Sequence, residues 1–372
     1  MSSIYIHIPF CKQRCIYCDF HFVISKKEEE DLINSIIKEI RTRKDYLKDK
    51  KLSSIYFGGG TPSIISTHLI KKILKKISEL FIIAENTEIT IETNPDDINK
   101  KKLDDYFNIG INRLSIGVQS FDNKILKSLN RSHNSMQAKN SVEIAINSRI
   151  KNISVDIMFN LPNQGLKKLD ESLNICFSYD INHLSIYGLT IEPNTVLHKR
   201  ILQNDISKPS DEIFINQYNH IADLCEKKEF INYEISNFCK KNYESNHNKN
   251  YWLGSEYLGV GPSAHSFNGV SRRWNVKNNS LYINWINNNK KYYRSETLNK
   301  KDIYNEYIIT RLRTNKGVSI KEINNSDHKI FFLKRINYWQ KNGYVSIINN
   351  YYVLERKGKL ICDKITESIF LV

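Results

Sequence analysis

The first half of the 372-residue chain alternates short β-branched, apolar segments with longer segments in which apolar residues recur at helical spacing. Leu69, Ile73 and Ile77 mark one such amphipathic helix. Strands and helices that alternate in this way predict parallel β/α units with right-handed crossovers. We therefore predict an α/β fold built on a partial, TIM-like (β/α)6 barrel that lacks its last quarter. The predicted strands are residues 3–9, 54–59, 87–93, 113–119, 152–159 and 183–189.

A second domain is expected, because one hydrophobic core rarely grows past about 250 to 300 residues. The alternation ends near residue 206, and a helix is predicted at 211–228. The last stretch has the pattern of two helices followed by a hairpin, with Asn349 and Asn350 suited to its two-residue turn. We predict a barrel at 1–205 and a smaller α+β domain at 206–372 that ends in a winged-helix-like module.

Composition argues against two classes of protein. No apolar run approaches the roughly 18 residues that a membrane helix needs, and we recognise no export signal, so a cytoplasmic location is expected. The formal charge of +15 comes from scattered basic residues interrupted by acids, without a basic recognition helix. We therefore expect no nucleic-acid partner. A peripheral membrane contact stays open.

Polar or conformationally special residues lie in, or directly after, five consecutive predicted strands. In β/α barrels the chemistry lies where strands end and the following loops begin. The pattern therefore predicts a functional site at one rim of the barrel. The residues are Cys11, Cys15 and Cys18 after the first strand, the GGGTP segment 58–62 after the second, Glu92 in the third, Gln119 in the fourth and Asp156 in the fifth.

The three clustered cysteines, Cys11, Cys15 and Cys18, form a CxxxCxxC motif that can bind a metal centre. A structural zinc site needs four ligands, and His21 is a candidate for the fourth. Iron–sulfur clusters are typically held by four cysteines, so three would leave one iron open for chemistry. The other cysteines stand alone, where a cysteine is usually a small buried hydrophobic residue.

CxxxCxxC after a first strand, with GGGTP after the second, resembles the radical S-adenosylmethionine superfamily. The resemblance implies a [4Fe-4S] cluster on the three cysteines, S-adenosylmethionine on the open iron, and an electron donor. Further motifs, YIHIPFC, IETNPD, LSIGVQSF, LNRSH and VDIMFNLP, resemble the oxygen-independent coproporphyrinogen III oxidase group. For two of the cofactor contacts that the resemblance implies, a plainer alternative remains: Glu92 is then a solvent-exposed carboxylate, and Arg131 an ordinary surface arginine. The implied cofactor contacts are Tyr5, Gly59, Gly60, Thr61, Glu92, Gln119, Arg131 and Asp156.

Two features separate this chain from the oxidases of that group. Phe20 stands where the oxidases have a further cysteine, and only four residues precede Tyr5, where the oxidases have a longer segment. The segment HNKNYW at 247–252 resembles the HNxxYW motif of the HemW-type haem chaperones. This resemblance implies that haem binds near His247, with His7 and His265 as alternative ligands.

The sequence therefore favours a haem chaperone that binds haem and passes it to an acceptor protein. The alternative is an oxygen-independent coproporphyrinogen III oxidase, a radical enzyme of porphyrin synthesis. A nucleic-acid-binding protein is a third possibility, supported by net charge and the winged-helix-like module. Whether the chain is an enzyme is left open at this point.

Overall fold

The computed structural model describes residues 2–372. Six parallel strands form the middle of a sheet of twelve strands. All six predicted strands are confirmed, and β4 and β5 have the predicted bounds. The parallel strands are β1 (Ser2–Ile8), β2 (Lys51–Gly59), β3 (Ile82–Thr93), β4 (Arg113–Gln119), β5 (Asn152–Phe159) and β6 (His183–Gly188).

Amphipathic helices cover the outer face of these strands. In the second helix, Ile73 and Ile77 are fully buried, and the Ser66 hydroxyl accepts a hydrogen bond from the Leu69 N–H at its start. The helices over the strands are α1 (Glu29–Thr42), α2 (Thr67–Leu80), α3 (Lys100–Asn108), α5 (Ser135–Ile146) and α6 (Leu166–Ser178). Two short helices, α4 (Asn123–Ser128) and α7 (Val196–Leu202), pack instead with Ile16 of the loop after β1.

Later segments extend the same sheet at both edges. A partial barrel of six strands has two edges with unpaired main-chain groups, which favour further pairing. β9 pairs in parallel with β1, and β8 pairs antiparallel with β6. The sheet therefore continues across the predicted domain boundary at residue 205. These elements are α8 (Asp211–Lys227), β7 (Ile231–Glu234), β8 (Asn237–Cys239), α9 (Asn246–Trp252), β9 (Tyr257–Val260), β10 (His265–Phe267), β11 (Ser271–Asn275), α10 (Asn279–Asn287) and β12 (Tyr293–Thr297).

The C-terminal module has its own small sheet and its own core, in which Ile308, Phe332 and Ile365 are fully buried. Ile348 pairs with Tyr351, so Asn349 and Asn350 form the predicted two-residue turn, with φ of 50° and 68°. The predicted α/β fold with a smaller C-terminal domain is confirmed. The elements are α11 (Lys300–Leu312), β13 (Val318–Ser319), α12 (Ser326–Lys341), β14 (Val345–Ile348), β15 (Tyr351–Leu354), α13 (Arg356–Lys359) and α14 (Cys362–Ile369).

Candidate functional site

The three cysteines of the CxxxCxxC motif lie on the loop after β1 and line one cavity of about 580 Å³. Two main-chain hydrogen bonds hold this loop, from Cys11 N–H to Val23 C=O (3.0 Å) and from Val23 N–H to Pro9 C=O (2.6 Å). We call this space the cysteine cavity. Most of the predicted cofactor contacts also line it, namely Gly59, Gly60, Thr61, Glu92, Gln119, Arg131 and Asp156.

Gly60 brings the cysteine loop close to the end of β2. Its N–H donates to Ile8 C=O at 2.9 Å, and the next N–H, of Thr61, donates to Phe10 C=O at 2.7 Å. A methyl group at Gly60 would lie 2.7 Å from the Phe10 oxygen and 3.0 Å from the Cys11 sulfur. Glycine is therefore required here for close packing, and the motif positions Cys11 as well as lining the cavity.

Polar groups approach two of the three sulfur atoms. Arg131 Nη1 lies 3.3 Å from Cys15 Sγ, and the Thr61 hydroxyl donates to Cys11 Sγ at 3.5 Å. Burial raises the pKa of the Cys11 and Cys18 thiols to about 11, so a nearby metal would be needed to keep them as thiolates at neutral pH. Three thiols that line one cavity supply the ligand chemistry of an iron–sulfur cluster, although within residues 2–372 they do not surround a single metal-ion position.

His21, the candidate fourth ligand of a zinc site, lines a different cavity. Its Nε2 atom lies 2.8 Å from Asn279 Oδ1. The hydrogen bond to α10 holds the ring away from the cysteine cavity, so the position of His21 does not support zinc.

Two carboxylates lie on the wall of the cysteine cavity. Glu92 accepts hydrogen bonds from the Tyr56 hydroxyl (2.9 Å) and the Gly59 N–H (3.1 Å), and Asp156 accepts one from the Ser115 hydroxyl (3.1 Å). Burial raises the pKa of Glu92 to about 7, with the Asp156 charge acting in the same direction. Burial also raises the pKa of Asp156 to about 6. Such a wall favours a ligand that carries positive charge.

Arg131 is held within the cysteine cavity, although the sequence left a surface position open. Its Nη2 atom donates to Asn94 Oδ1 at 2.8 Å and to Gly117 C=O at 2.6 Å. Gln119, at the end of β4, has a φ of 68°. A non-glycine residue in this left-handed region is strained, and such residues cluster at binding sites.

A second cavity of about 780 Å³ adjoins the first, and we call it the aromatic cavity. Phe20, which is 67% exposed, lines both cavities, as do Glu92 and Tyr187. The structure places Tyr5 here, apart from the cysteines, together with His247. Its aromatic lining suits a flat, apolar ligand. The aromatic rings are Tyr5, Phe20, Tyr56, Tyr187, Tyr251, Trp252 and Tyr257.

The HNKNYW segment begins just inside α9, and a carboxylate of the barrel holds the first turn of that helix. Glu88 of β3, which is buried, accepts hydrogen bonds from the N–H groups of Asn246 (2.9 Å) and His247 (3.0 Å). The Ser245 hydroxyl donates to the same carboxylate at 3.3 Å. A carboxylate at a helix N-terminus satisfies its free N–H groups. The position of His247 is thereby tied to β3.

A chain of hydrogen bonds determines the protonation of His247. Its Nδ1 atom lies 2.9 Å from Ser54 Oγ, and the Ser54 hydroxyl donates to Ser3 Oγ at 2.9 Å. Since Ser54 has one proton to donate, its oxygen accepts the Nδ1 proton and leaves a lone pair on Nε2. Burial lowers the pKa of His247 to about 3, so the ring is neutral. The Tyr56 ring stacks on it, with centroids 4.7 Å apart.

Comparison with known proteins identifies the family. Residues 5–176 match the Radical SAM superfamily. The Heme chaperone HemW of Buchnera aphidicola subsp. Schizaphis graminum is 34% identical over 99% of this chain and 98% of the relative. The Heme chaperone HemW of Bacillus subtilis is 35% identical over 86% of each chain. The chain belongs to the HemW family. The resemblance seen in CxxxCxxC, Phe20 and HNKNYW is therefore confirmed.

The fold of this HemW-family chain is also that of a solved structure. The coproporphyrinogen III oxidase HemN from Escherichia coli superposes with a TM-score of 0.85, over 99% of this chain and 90% of that chain. The two sequences are 21% identical, so the likeness is one of fold. Within residues 2–372, every helix is too short or too polar to cross a bilayer.

Several contacts in this HemW-family site were not among the sequence predictions. Ser115 had a signal, because a lone hydroxyl interrupts the apolar strand β4. Ser54 and Tyr56 had none, since their partner His247 lies far away in the sequence. Glu88 shares the alternating pattern of Glu92, so the sequence did not distinguish a helix anchor from a ligand.

Proposed function

We propose that this protein is a haem chaperone, which binds haem in the aromatic cavity through His247 and passes it to an acceptor protein. The observation that carries the proposal is the neutral His247 ring, with its Nδ1 proton on Ser54 and its Nε2 lone pair left to bind a metal. Relatives named Heme chaperone HemW support the same function.

The surroundings of His247 are those of a metal-binding histidine. Such histidines usually donate their second ring N–H to an acceptor, which fixes the tautomer and the orientation of the ring. Ser54 is that acceptor for His247. A neutral imidazole is a common axial ligand of haem iron. Tyr251 and Trp252, one helical turn further along α9, line the same cavity and would pack against the macrocycle.

The alternative ligands are less suitable. His7 has both ring nitrogens engaged, because Nε2 lies 3.0 Å from the His21 carbonyl oxygen and Nδ1 lies 3.2 Å from the Tyr5 hydroxyl. A carbonyl oxygen only accepts, so Nε2 bears the proton and Nδ1 accepts from Tyr5. His265 is exposed, and its ring stacks on Trp274 with centroids 6.3 Å apart. His247 is therefore the ligand that the contacts favour.

The proposal assigns the cysteine cavity to a [4Fe-4S] cluster on Cys11, Cys15 and Cys18, with S-adenosylmethionine beside it. When bound, such a cluster supplies low-potential electron transfer, for which an electron donor is needed. Membership of the Radical SAM superfamily supports this assignment. In this assignment the methionine end of S-adenosylmethionine would lie at Gly59, Gly60 and Thr61, and its ammonium group would pair with Glu92. The ribose hydroxyls would bind Gln119 and Asp156, and the carboxylate would pair with Arg131.

We also propose that the protein acts in the cytoplasm. In the same proposal, residues 1–205 and residues 206–372 form two domains that contribute different parts of the site. The first part carries the cysteine loop and the Glu92 wall, and the second part carries His247. The aromatic cavity is lined from both parts, which supports haem binding between them.

The competing function is oxygen-independent coproporphyrinogen oxidation, because the HemN structure shares this fold. Phe20 argues against it. This side chain stands at the border of the two cavities, where the sequence resemblance to the oxidases implies a further cysteine.

Haem titration of the protein with its cluster reconstituted anaerobically tests the proposal. Wild type and His265→Ala should bind one haem with the same Soret band, whereas His247→Ala should show an altered band and weaker binding. An unchanged band in His247→Ala would contradict the assignment of the ligand. Repeated turnover of coproporphyrinogen III with S-adenosylmethionine, without stable haem binding, would favour the oxidase instead.

A further inference from the structure

We propose that Tyr56 couples the two cavities, so that a ligand whose ammonium group pairs with Glu92 tightens the binding of haem at His247. The inference rests on the proposed function. It assigns Tyr56 the role of a positioning residue, which acts on haem through the His247 ring.

Tyr56 contacts one key residue of each cavity. Its hydroxyl donates to Glu92 Oε1 at 2.9 Å, on the wall of the cysteine cavity. Its ring stacks on the His247 imidazole at a centroid distance of 4.7 Å and an angle of 28°. A single side chain thus joins the carboxylate that would bind an ammonium group and the imidazole that would bind iron.

Tight packing around Tyr56 leaves little freedom for independent movement. Tyr5 stacks on it with centroids 6.1 Å apart and lies 6.2 Å from the His247 ring. A methyl group at Gly58 would meet both tyrosine rings at 2.9 Å and Glu92 Oε1 at 3.0 Å. The two rings and the carboxylate therefore converge on one glycine. A shift of Glu92 would displace Tyr56 as well, since packed side chains transmit strain.

The direction of the coupling follows from the charge of Glu92. Burial raises its pKa to about 7, so near neutral pH a large fraction is protonated in the absence of a bound cation. An ammonium partner keeps Glu92 ionised, and hydrogen bonds to an ionised acceptor are roughly twice as strong as neutral ones. The firmer bond holds the Tyr56 ring against His247 before haem arrives. Less ordering is then needed on haem binding, which makes the cooperativity positive.

Two binding constants measured on the cluster-reconstituted protein test the coupling. Haem affinity is measured with and without saturating S-adenosylmethionine, and S-adenosylmethionine affinity with and without haem. Each ligand should tighten the other by the same factor, about fivefold or more, because coupling between sites is reciprocal. Tyr56→Phe keeps the ring and loses the hydroxyl, so both factors should fall to about one with both ligands still bound.

Tyr282→Phe is the matched control. It also removes a tyrosine hydroxyl that donates to a buried glutamate, Glu39 Oε2 at 2.6 Å, but Tyr282 lines neither cavity, so this variant should keep the wild-type factor. If Tyr56→Phe cannot be purified, a desamino analogue of S-adenosylmethionine on wild type replaces it. The analogue should bind without tightening haem.

The outcomes separate this inference from the proposed function. If haem binds equally well to His247→Ala, the haem site itself is wrong. If haem does bind at His247 but S-adenosylmethionine leaves its affinity unchanged, or Tyr56→Phe keeps the wild-type factor, the coupling alone is refuted. An analogue without the ammonium group that tightens haem equally would also refute it.

Discussion

Replacing Ser54 by alanine removes the oxygen that binds the Nδ1 proton of His247. Ser54 is fully buried in β2, and its Oγ lies 2.9 Å from that nitrogen. The variant keeps the strand and leaves the imidazole N–H without its partner. The ring is then free to turn, so Nε2 is no longer held in the orientation that binds iron.

The size of the effect can be worked out from these contacts. A buried donor that loses its partner costs about 1–3 kcal/mol. Loss of a hydrogen-bond partner behind a metal ligand lowers metal affinity by about 10–100-fold, which corresponds to about 1.4–2.7 kcal/mol. The two ranges overlap. We therefore expect the Kd for haem to rise by about 10–100-fold in Ser54→Ala, with one haem still bound at saturation.

A Soret titration of Ser54→Ala measures this change, and Ser154→Ala is its matched control. Ser154 is also fully buried, and its Oγ lies 2.8 Å from Nδ1 of His183, whose Nε2 is bonded to Tyr233. The control loses the same kind of hydrogen bond and should keep wild-type haem affinity. Wild-type affinity in Ser54→Ala, or equal losses in both variants, would refute the reasoning.

Two further predictions concern the cysteine cavity. Gly60→Ala should lower the free energy of unfolding by about 1–3 kcal/mol and reduce the iron content after reconstitution, because the methyl group would crowd Phe10 and the Cys11 sulfur. Urea unfolding and iron analysis measure this, with Gly165→Ala as control, since a methyl group there meets no atom within 4 Å. Burial raises the pKa of Glu92 from 4.5 to about 7, so the folded apo-protein binds this proton more tightly than the unfolded chain. Its free energy of unfolding should therefore fall as pH rises from about 4.5 to 7, and less steeply in Glu92→Gln; equal slopes would show that Glu92 does not contribute.

Most of the barrel could be predicted because its elements are encoded locally. Strands β4 and β5 have the predicted bounds, since β-branched and other apolar residues alternate with polar or small residues along most of each segment. The structure begins β3 at Ile82, whereas the sequence predicts a start at residue 87. The prediction starts late because polar residues interrupt the apolar pattern in the first half of the strand. The cysteine loop and the glycines after β2 were predicted for the same local reason.

Helix α9 was not predicted, because its sequence NHNKNYW has neither an apolar period nor strong helix formers. In the structure this segment is a helix, and the Glu88 carboxylate of β3 accepts hydrogen bonds from the N–H groups of its first turn. Tyr5 stays a predicted cofactor contact, and the structure places its ring 6.2 Å from the ring of His247, on the same side of β1 as His7. Because side chains alternate along β1, the sequence predicts that Tyr5 and His7 point to the same side of the strand. Only the position of α9 shows that this side faces His247.

The sequence by itself determined the parallel strands, the loop with its three cysteines, and the family, because these depend on residues that are neighbours along the chain. Tertiary structure alone decided that the predicted site is two adjoining cavities and that His247 has a free Nε2. Those features require contacts of α9 with Ser54 and Glu88, each of which lies more than 150 residues away from His247 in the sequence. A hydrogen bond of this kind leaves no periodic trace in sequence, because its partners are brought together only when the sheet forms.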